Sequence, residues 1–308
     1  MIPIAAGTVL GISIFLVGLR TMTQGLKTAA GQRLRWIIEH FTANPWLCLV
    51  TGAAAAALAQ SSSAVAAAAV GLVDAKLLTL EQALGIILGA NIGTTLTAQL
   101  IAFRWVKGAP WAICLGTVVF LLSTNTKRKA VGCIAAGAGG LLWGIELLSL
   151  ALRPLTQLPH LASLILEWEH SIYSGILAGI ILAVVFQSSS AAIGLAMALA
   201  REGLLGVSGG MAVVLGSNIG TVMTSLIASI GTIPEARQTA VGDLLFNCLG
   251  VLAMMPLMDV FLQLLQASSQ DVVRQIANGH VLFNVTTALI ALPCIKYLTR
   301  LVRLLVPS

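Results

Sequence analysis

Charge is what this sequence has least of. Only 9% of its 308 residues are Asp, Glu, Lys or Arg, while 58% are hydrophobic, and its mean hydropathy is +0.97. A water-soluble domain is excluded; the apolar runs are long enough to cross a bilayer repeatedly. The five cysteines, Cys48, Cys114, Cys133, Cys248 and Cys294, are scattered through apolar stretches with no CxxC spacing. That excludes a thiolate metal site or a disulfide framework and leaves small buried hydrophobes. No basic stretch precedes the apolar run from Ile2 to Leu19, and no small-residue cleavage site follows it. A removed leader is therefore not expected, and the first segment reads as a retained span. The excess of 17 Lys and Arg over 11 Asp and Glu concerns membrane orientation. Lipid is the expected partner and nucleic acid is not.

What is present is a duplication. Shifted by 127 residues, Gln60 to Thr97 aligns without a gap on Gln187 to Thr224, with 16 identities in 38 positions. Each copy reads as a neutral run, QSSSA, a short apolar arm, a turn with charge nearby, a second apolar run and Asn-Ile-Gly-Thr (Asn91 to Thr94, Asn218 to Thr221). Residues 1–127 form a first transmembrane repeat. Residues 128–308 form a second, with a C-terminal span. The uncharged stretch Pro45 to Val73 is split at the serines into arms of 16 and 13 residues, each shorter than the roughly 20 a span needs. Ser171 to Ala200 does the same. The arithmetic predicts re-entrant helical hairpins with QSSS at their tips; the alternative is one tilted helix whose serines bond back to its own carbonyls. Non-helical backbone at that depth must line a cavity or be buried in protein.

Spans near 80–103, 110–123 and 130–152 separate the hairpins, and spans near 208–230, 238–260 and 279–305 follow. With the N-terminus outside, Arg20, Lys27, Arg33, Arg35, Lys76, Lys127, Arg128, Lys129, Arg237, Lys296, Arg300 and Arg303 fall inside with the C-terminus. Arg104, Lys107, Arg153, Arg201 and Arg274 fall outside. The positive-inside bias favours that orientation. Three spans between the hairpins make the two repeats inverted, an architecture that secondary transporters use to hold substrate at the midplane. The fold expected is an all-α polytopic membrane protein of two inverted-topology repeats.

A tip of this kind offers helix N-terminal N–H groups to an anion. Ser61, Ser62, Ser63, Ser188, Ser189 and Ser190, with Gln60 and Gln187, could surround a tetrahedral oxyanion and accept a hydrogen bond from its protonated oxygen. No Lys or Arg occurs from Leu77 to Phe103 or from Gly203 to Pro234, so a mobile cation is the expected counter-charge. Asn91, Thr94, Thr95, Thr97, Asn218, Thr221 and Thr224 offer neutral oxygens, and Gly93 and Gly220 would let the backbone unwind and present carbonyls to sodium. The alternative is that these groups serve helix packing alone.

QSSSA with GANIGTT (Gly89 to Thr95), then QSSSA with GSNIGT (Gly216 to Thr221), resembles the sodium-dependent inorganic phosphate cotransporters of the type II class and their bacterial relatives. Asp243-Leu-Leu-Phe-Asn247 and His280-Val-Leu-Phe-Asn284 resemble that family's recurring small-x-x-Phe-Asn elements. The resemblance covers nearly the whole chain. It implies phosphate between the tips, at Ser61, Ser62, Gln187, Ser188 and Ser190 by matching position, and sodium around Ser188, Thr221 and Thr224, with Thr94 and Thr97 as the first-repeat counterparts. It further implies no cofactor beyond sodium as co-substrate, no enzymatic activity and a bacterial inner membrane. A homodimer fits, as does a separate cytoplasmic regulatory protein, since this sequence ends at Ser308. The region Phe103-Arg-Trp-Val-Lys107 lacks the acid of electrogenic animal members. A proton-coupled or uncoupled transporter or exporter of phosphate or another oxyanion is the alternative; the lack of intramembrane acids in the two motif units speaks against protons. Gly206-Val-Ser-Gly-Gly210 matches a nucleophile pattern but lacks the strand-to-helix context, and His40, His160, His170 and His280 are far from it in sequence.

Overall fold

The computed structural model describes residues 2–30, 44–103 and 105–307. Arg33, Arg35, His40 and Arg104, used in the readings above, lie outside them. Among the described residues the chain is helical with no strand. Helices begin where the sequence supplies a cap. Asn44 accepts from the N–H of Leu47 at 2.9 Å and Pro45 takes the first turn of α2 (Pro45–Ala59), after α1 (Ile2–Ala30). A reciprocal Thr79 and Gln82 capping box starts α4 (Leu80–Ala102), where first-turn donors would otherwise be orphaned. Between these, α3 (Ser62–Asp74) closes the first hairpin. Then come α5 (Ala109–Leu122) and α6 (Thr126–Leu152).

Glycine seams join the helices. On α1, Gly11, Gly18 and Gly25 recur every seven residues and so share one face. That face lies on the backbone of α6 at Leu148, Leu141 and Ala130 respectively, so close that a Cβ at any of the three would overlap it. Contact falls along α6 as it rises along α1, so the pair is antiparallel. In a membrane, where lipid tails are as apolar as side chains, close approach of this kind supplies the packing.

The hairpins follow from the same contacts. Gly89 lies on Leu49 and Gly93 on Ala53, so α4 runs parallel to α2. The chain must double back through α3 to begin α4 at the level where α2 began. The second copy repeats this: α8 (Ile172–Phe186), α9 (Ser189–Arg201) and α10 (Val207–Gly220), with Gly216 on Ile176 and Gly220 on Ile180, each pair displaced by 127. The first hairpin opens beside the start of α4. The second opens beside its far end, where Arg201 Nη2 donates to the carbonyl of Ile101 at 2.9 Å. Large apolar side chains from both halves, Phe15, Ile145, Ile193, Met211 and Phe283 among them, share one core.

Span ends depart from the sequence expectation. The helix at 110–123 is α5, 14 residues and about 21 Å long at 1.5 Å per residue, short of a bilayer core by itself; it lies against α6, with Gly116 at Gly132 and Ala136. The stretch at 208–230 breaks after Gly220 and resumes as α11 (Met223–Ala228). Pro234 to Ser268 is apolar and helical for 35 residues, as α12 (Pro234–Met254) and α13 (Met258–Ser268) joined by one tight turn. The expected span 279–305 is instead α14 (Val272–Ala291) and, after an 83° bend, α15 (Ile295–Leu305). Pro293, which cannot continue a helix, sits in the bend. α15 buries Ile295, Thr299 and Val302 and turns Lys296, Arg300 and Arg303 away, a pattern that suits the membrane surface. A 115° bend likewise separates α7 (Pro159–His170) from α8. Among the described residues five stretches are long and apolar enough to span, or seven if each bent pair is one span.

Candidate functional site

Both hairpins break at the same letter. Gln60 (φ 49°, ψ 32°) and Gln187 (φ 50°, ψ 33°) are left-handed, a conformation that costs an L-residue roughly 1–2 kcal/mol and ends a helix. A single tilted helix is thereby excluded. The next residue is extended and caps the returning helix: Ser61 Oγ accepts from the N–H of Ala64 at 3.1 Å, and Ser188 Oγ from that of Ala191 at 3.2 Å. So the six hydroxyls expected to face a ligand are not equivalent. Ser63 Oγ donates across the repeats to the carbonyl of Thr221 at 3.5 Å. Among the described residues the hydroxyls of Ser62, Ser189 and Ser190 have no protein partner, although all three residues are buried. First-turn N–H groups at 62, 63, 189 and 190 have no intrahelical acceptor either.

The two tips line one cavity of about 400 Å³, to which Gln60, Ser61, Gln187 and Ser188 contribute. Its remaining polar wall is α1, through Arg20, Thr23, Gln24 and Lys27. The sequence reading of a site without fixed positive charge is corrected here. The motif arms and the runs through Asn-Ile-Gly-Thr hold no base, but α1, pinned on α6 by its glycine face, presents two cations to the same space. Another cavity of about 370 Å³, between α12, α14 and α15, is walled by Phe246, Leu249, Ile290 and Leu301 and offers nothing to an anion.

The Asn and Thr groups stand behind the tips. Thr97 Oγ1 donates to Gln60 Oε1 at 2.6 Å, tying α4 to the first tip. Thr94 and Thr221 bond back to carbonyls of their own helices, Ala90 at 2.9 Å and Asn218 at 3.0 Å. Thr224 is half-buried. Asn218 donates to the Val214 carbonyl at 3.1 Å. Asn91 donates to Asn247 Oδ1 at 3.3 Å, and Asn247 in turn to Asp243 Oδ1 at 2.9 Å. Of the residues expected at the site, Asn91, Asn218, Ser62, Ser63, Ser189 and Ser190 do not line the cavity; only Gln60, Ser61, Gln187 and Ser188 reach it. The expected unwinding is seen at neither glycine: α4 is continuous through Gly93, and α10 ends at Gly220 only in a local turn, with Thr221 and Val222 still in the helical region before α11 resumes at Met223. Both glycines serve close approach, to Ala53 and Ile180, so neither sequence position alone forces a break.

The family model for the Na+/Pi-cotransporter matches the chain twice, over residues 14–150 and 141–296. The chain belongs to the Na+/Pi-cotransporter family. It is 33% identical to YqeW of Bacillus subtilis strain 168 over 297 residues, 96% of each chain. To YjbB of Escherichia coli K12, provisionally named an inorganic phosphate export protein, it is 26% identical over 289 residues, 94% of this chain and 53% of YjbB. It thus spans about half of that relative. A 90-residue segment, 27% of the chain and 14% of the relative, is 36% identical to sodium-dependent phosphate transport protein 2A of Oryctolagus cuniculus. No solved structure matches.

In this Na+/Pi-cotransporter family member three charged groups near the motifs escaped the site reading. Arg20 and Lys27 were counted only for orientation. Asp243 is 4% exposed on α12, where it accepts from Ser225 Oγ at 2.8 Å and from Asn247, and thereby connects both Asn-Ile-Gly-Thr regions. A carboxyl inside an apolar helix is a signal by itself; it was overlooked because it falls outside the duplicated unit. The Gly206 to Gly210 pattern opens helix α10, with Glu169 accepting the N–H groups of Gly206 and Gly209 at 2.9 and 2.8 Å. It is not a strand-to-helix elbow, and the family is one of transporters.

Proposed function

We propose that this chain is a secondary active transporter that moves inorganic phosphate across a bacterial inner membrane by alternating access, coupled to sodium. The observation that carries the reading is the pair of capped hydroxyl tips, borne by hairpins that open at opposite ends of α4, lining one cavity. Two inverted repeats with broken helices meeting at a central site suit alternating access. Phosphate is the substrate we favour because the three unpartnered hydroxyls and four first-turn N–H groups directly follow the cavity-lining Ser61 and Ser188, and offer a tetrahedral oxyanion neutral donors. The names of two relatives point to the same substrate. Sodium is assigned near Ser188, Thr94, Thr97, Thr221 and Thr224, where neutral oxygens cluster around the tips and the broken helix. A homodimer and a separate cytoplasmic regulatory protein are compatible partners.

Phosphate binding to the purified protein, at fixed pH and ionic strength, will be tighter in sodium than in choline. Phosphate will tighten sodium binding by the same factor, because coupling free energy is reciprocal. Equal affinity in the two salts defeats sodium coupling and leaves proton-coupled or uncoupled movement, including export. That second reading is favoured by Arg20 and Lys27, whose fixed charge lessens the need for a travelling cation, and by the name of YjbB. The inverted arrangement has its own check. In a background without native cysteines, Ala75→Cys will be labelled from the cytoplasm and its 127-shifted counterpart Glu202→Cys from outside. Labelling of both from one side ends it.

A further inference from the structure

α1 is an apolar helix of 29 residues whose only charged side chains are Arg20 and Lys27. Both are exposed within the structure, and among the described residues neither is paired with a carboxylate. A cation in a spanning helix is tolerated when it faces water or a partner rather than lipid. Helical geometry shows which it faces. At 100° per residue, Lys27 lies nine residues and about 180° round from Gly18, and Arg20 lies about 200° round. Thr23 and Gln24, at about 140° and 240°, flank them on the same face. The glycine face is sealed on α6, and the opposite face carries the four polar residues, which line the cavity with Ser61 and Ser188. Arg20 and Lys27 are two turns apart, about 10 Å, so the stripe forms a wall along the cavity.

We infer that this stripe of α1 is an oxyanion subsite of the transport cavity, with Arg20 and Lys27 supplying the counter-charge that the two serine tips lack. The inference rests on the proposed phosphate transport and deepens it. The tips offer only neutral donors, which fix orientation. The stripe adds two positive charges, matching a divalent hydrogen phosphate, and Arg presents a planar fork suited to two oxygens at once. Thr23 and Gln24 supply neutral hydrogen bonds between them. Phosphate held against this wall and passed to the tips would spend less of its dwell uncompensated in an apolar surround.

The test is equilibrium binding of inorganic phosphate to the purified, lipid-reconstituted full chain. Arg20→Gln and Lys27→Gln will each weaken binding roughly tenfold, and the double variant by more. Lys27→Arg will keep most of the affinity and Arg20→Lys will keep part of it, with the charge but without the planar fork, a graded pattern that a packing role would not predict. Neither side chain is buried, so melting temperatures will match the wild type. Unchanged affinity in the folded double variant, while Ser62→Ala still weakens binding, overturns the subsite and leaves phosphate transport standing. Failure of the wild type itself to bind phosphate overturns the transport reading, and the subsite with it.

Discussion

Ser62→Ala and Ser189→Ala proteins, each inserted and folded, will bind inorganic phosphate roughly tenfold or more weakly than the wild type. Both hydroxyls sit in the first turn of a returning helix, buried, with no protein partner. Neither is the capping serine, so removing it leaves the hairpin intact and strips a donor from the ligand. A lost hydrogen bond to a charged partner costs on the order of 1–3 kcal/mol. Both variants therefore isolate recognition from folding. Unchanged half-saturation for phosphate in both would reduce the serines to packing residues. Ser61→Ala and Ser188→Ala are poorer probes, because each also removes a helix cap, itself worth about 1 kcal/mol.

The second large effect is on assembly. Gly89→Ala and Gly216→Ala will lose a monodisperse folded state in mild detergent or melt far below the wild type. A Cβ at Gly89 would overlap the carbonyl oxygen of Leu49, and one at Gly216 that of Ile176. The obstacle is helix backbone rather than a flexible side-chain end, so α2 must part from α4, or α8 from α10. Overpacking usually costs about 1–3 kcal/mol, occasionally more, and a backbone clash belongs at the upper end. Gly71→Ala is the control: its Cβ meets nothing within 4 Å, and alanine is the better helix former. Thermal melting by size-exclusion of solubilised protein separates the cases. Wild-type melting in Gly89→Ala and Gly216→Ala would mean these seams tolerate separation.

The hairpins were legible because two constraints act along the chain alone. Arms of 16 and 13 residues cannot cross a bilayer, and the repetition of QSSSA at a fixed displacement marks the same break twice. The missing parts depend on contacts between distant segments. Nothing in Arg20 or Lys27 tells that α1 will be rotated by its glycine face to aim them at residue 60 or 187. Asp243 acquires its place only when α12 docks beside Asn91. The ends of spans were misplaced where hydropathy continued but the helix did not run on unbroken: Pro293 bends the last apolar run, and a two-residue turn follows Gly220 although none follows Gly93.

The left-handed glutamines carry a further consequence. Glycine would adopt that turn at almost no steric cost, yet a side chain is kept there twice. At position 60 it is buried and latched, its amide oxygen receiving the Thr97 hydroxyl. At position 187 it is exposed and, among the described residues, has no such latch. The first tip is thereby fastened to an unbroken helix, while the second hangs beside a helix that breaks. Copies of one sequence have become unlike parts: one tip is tied by its glutamine to the helix behind it, and the other turns the same glutamine outward.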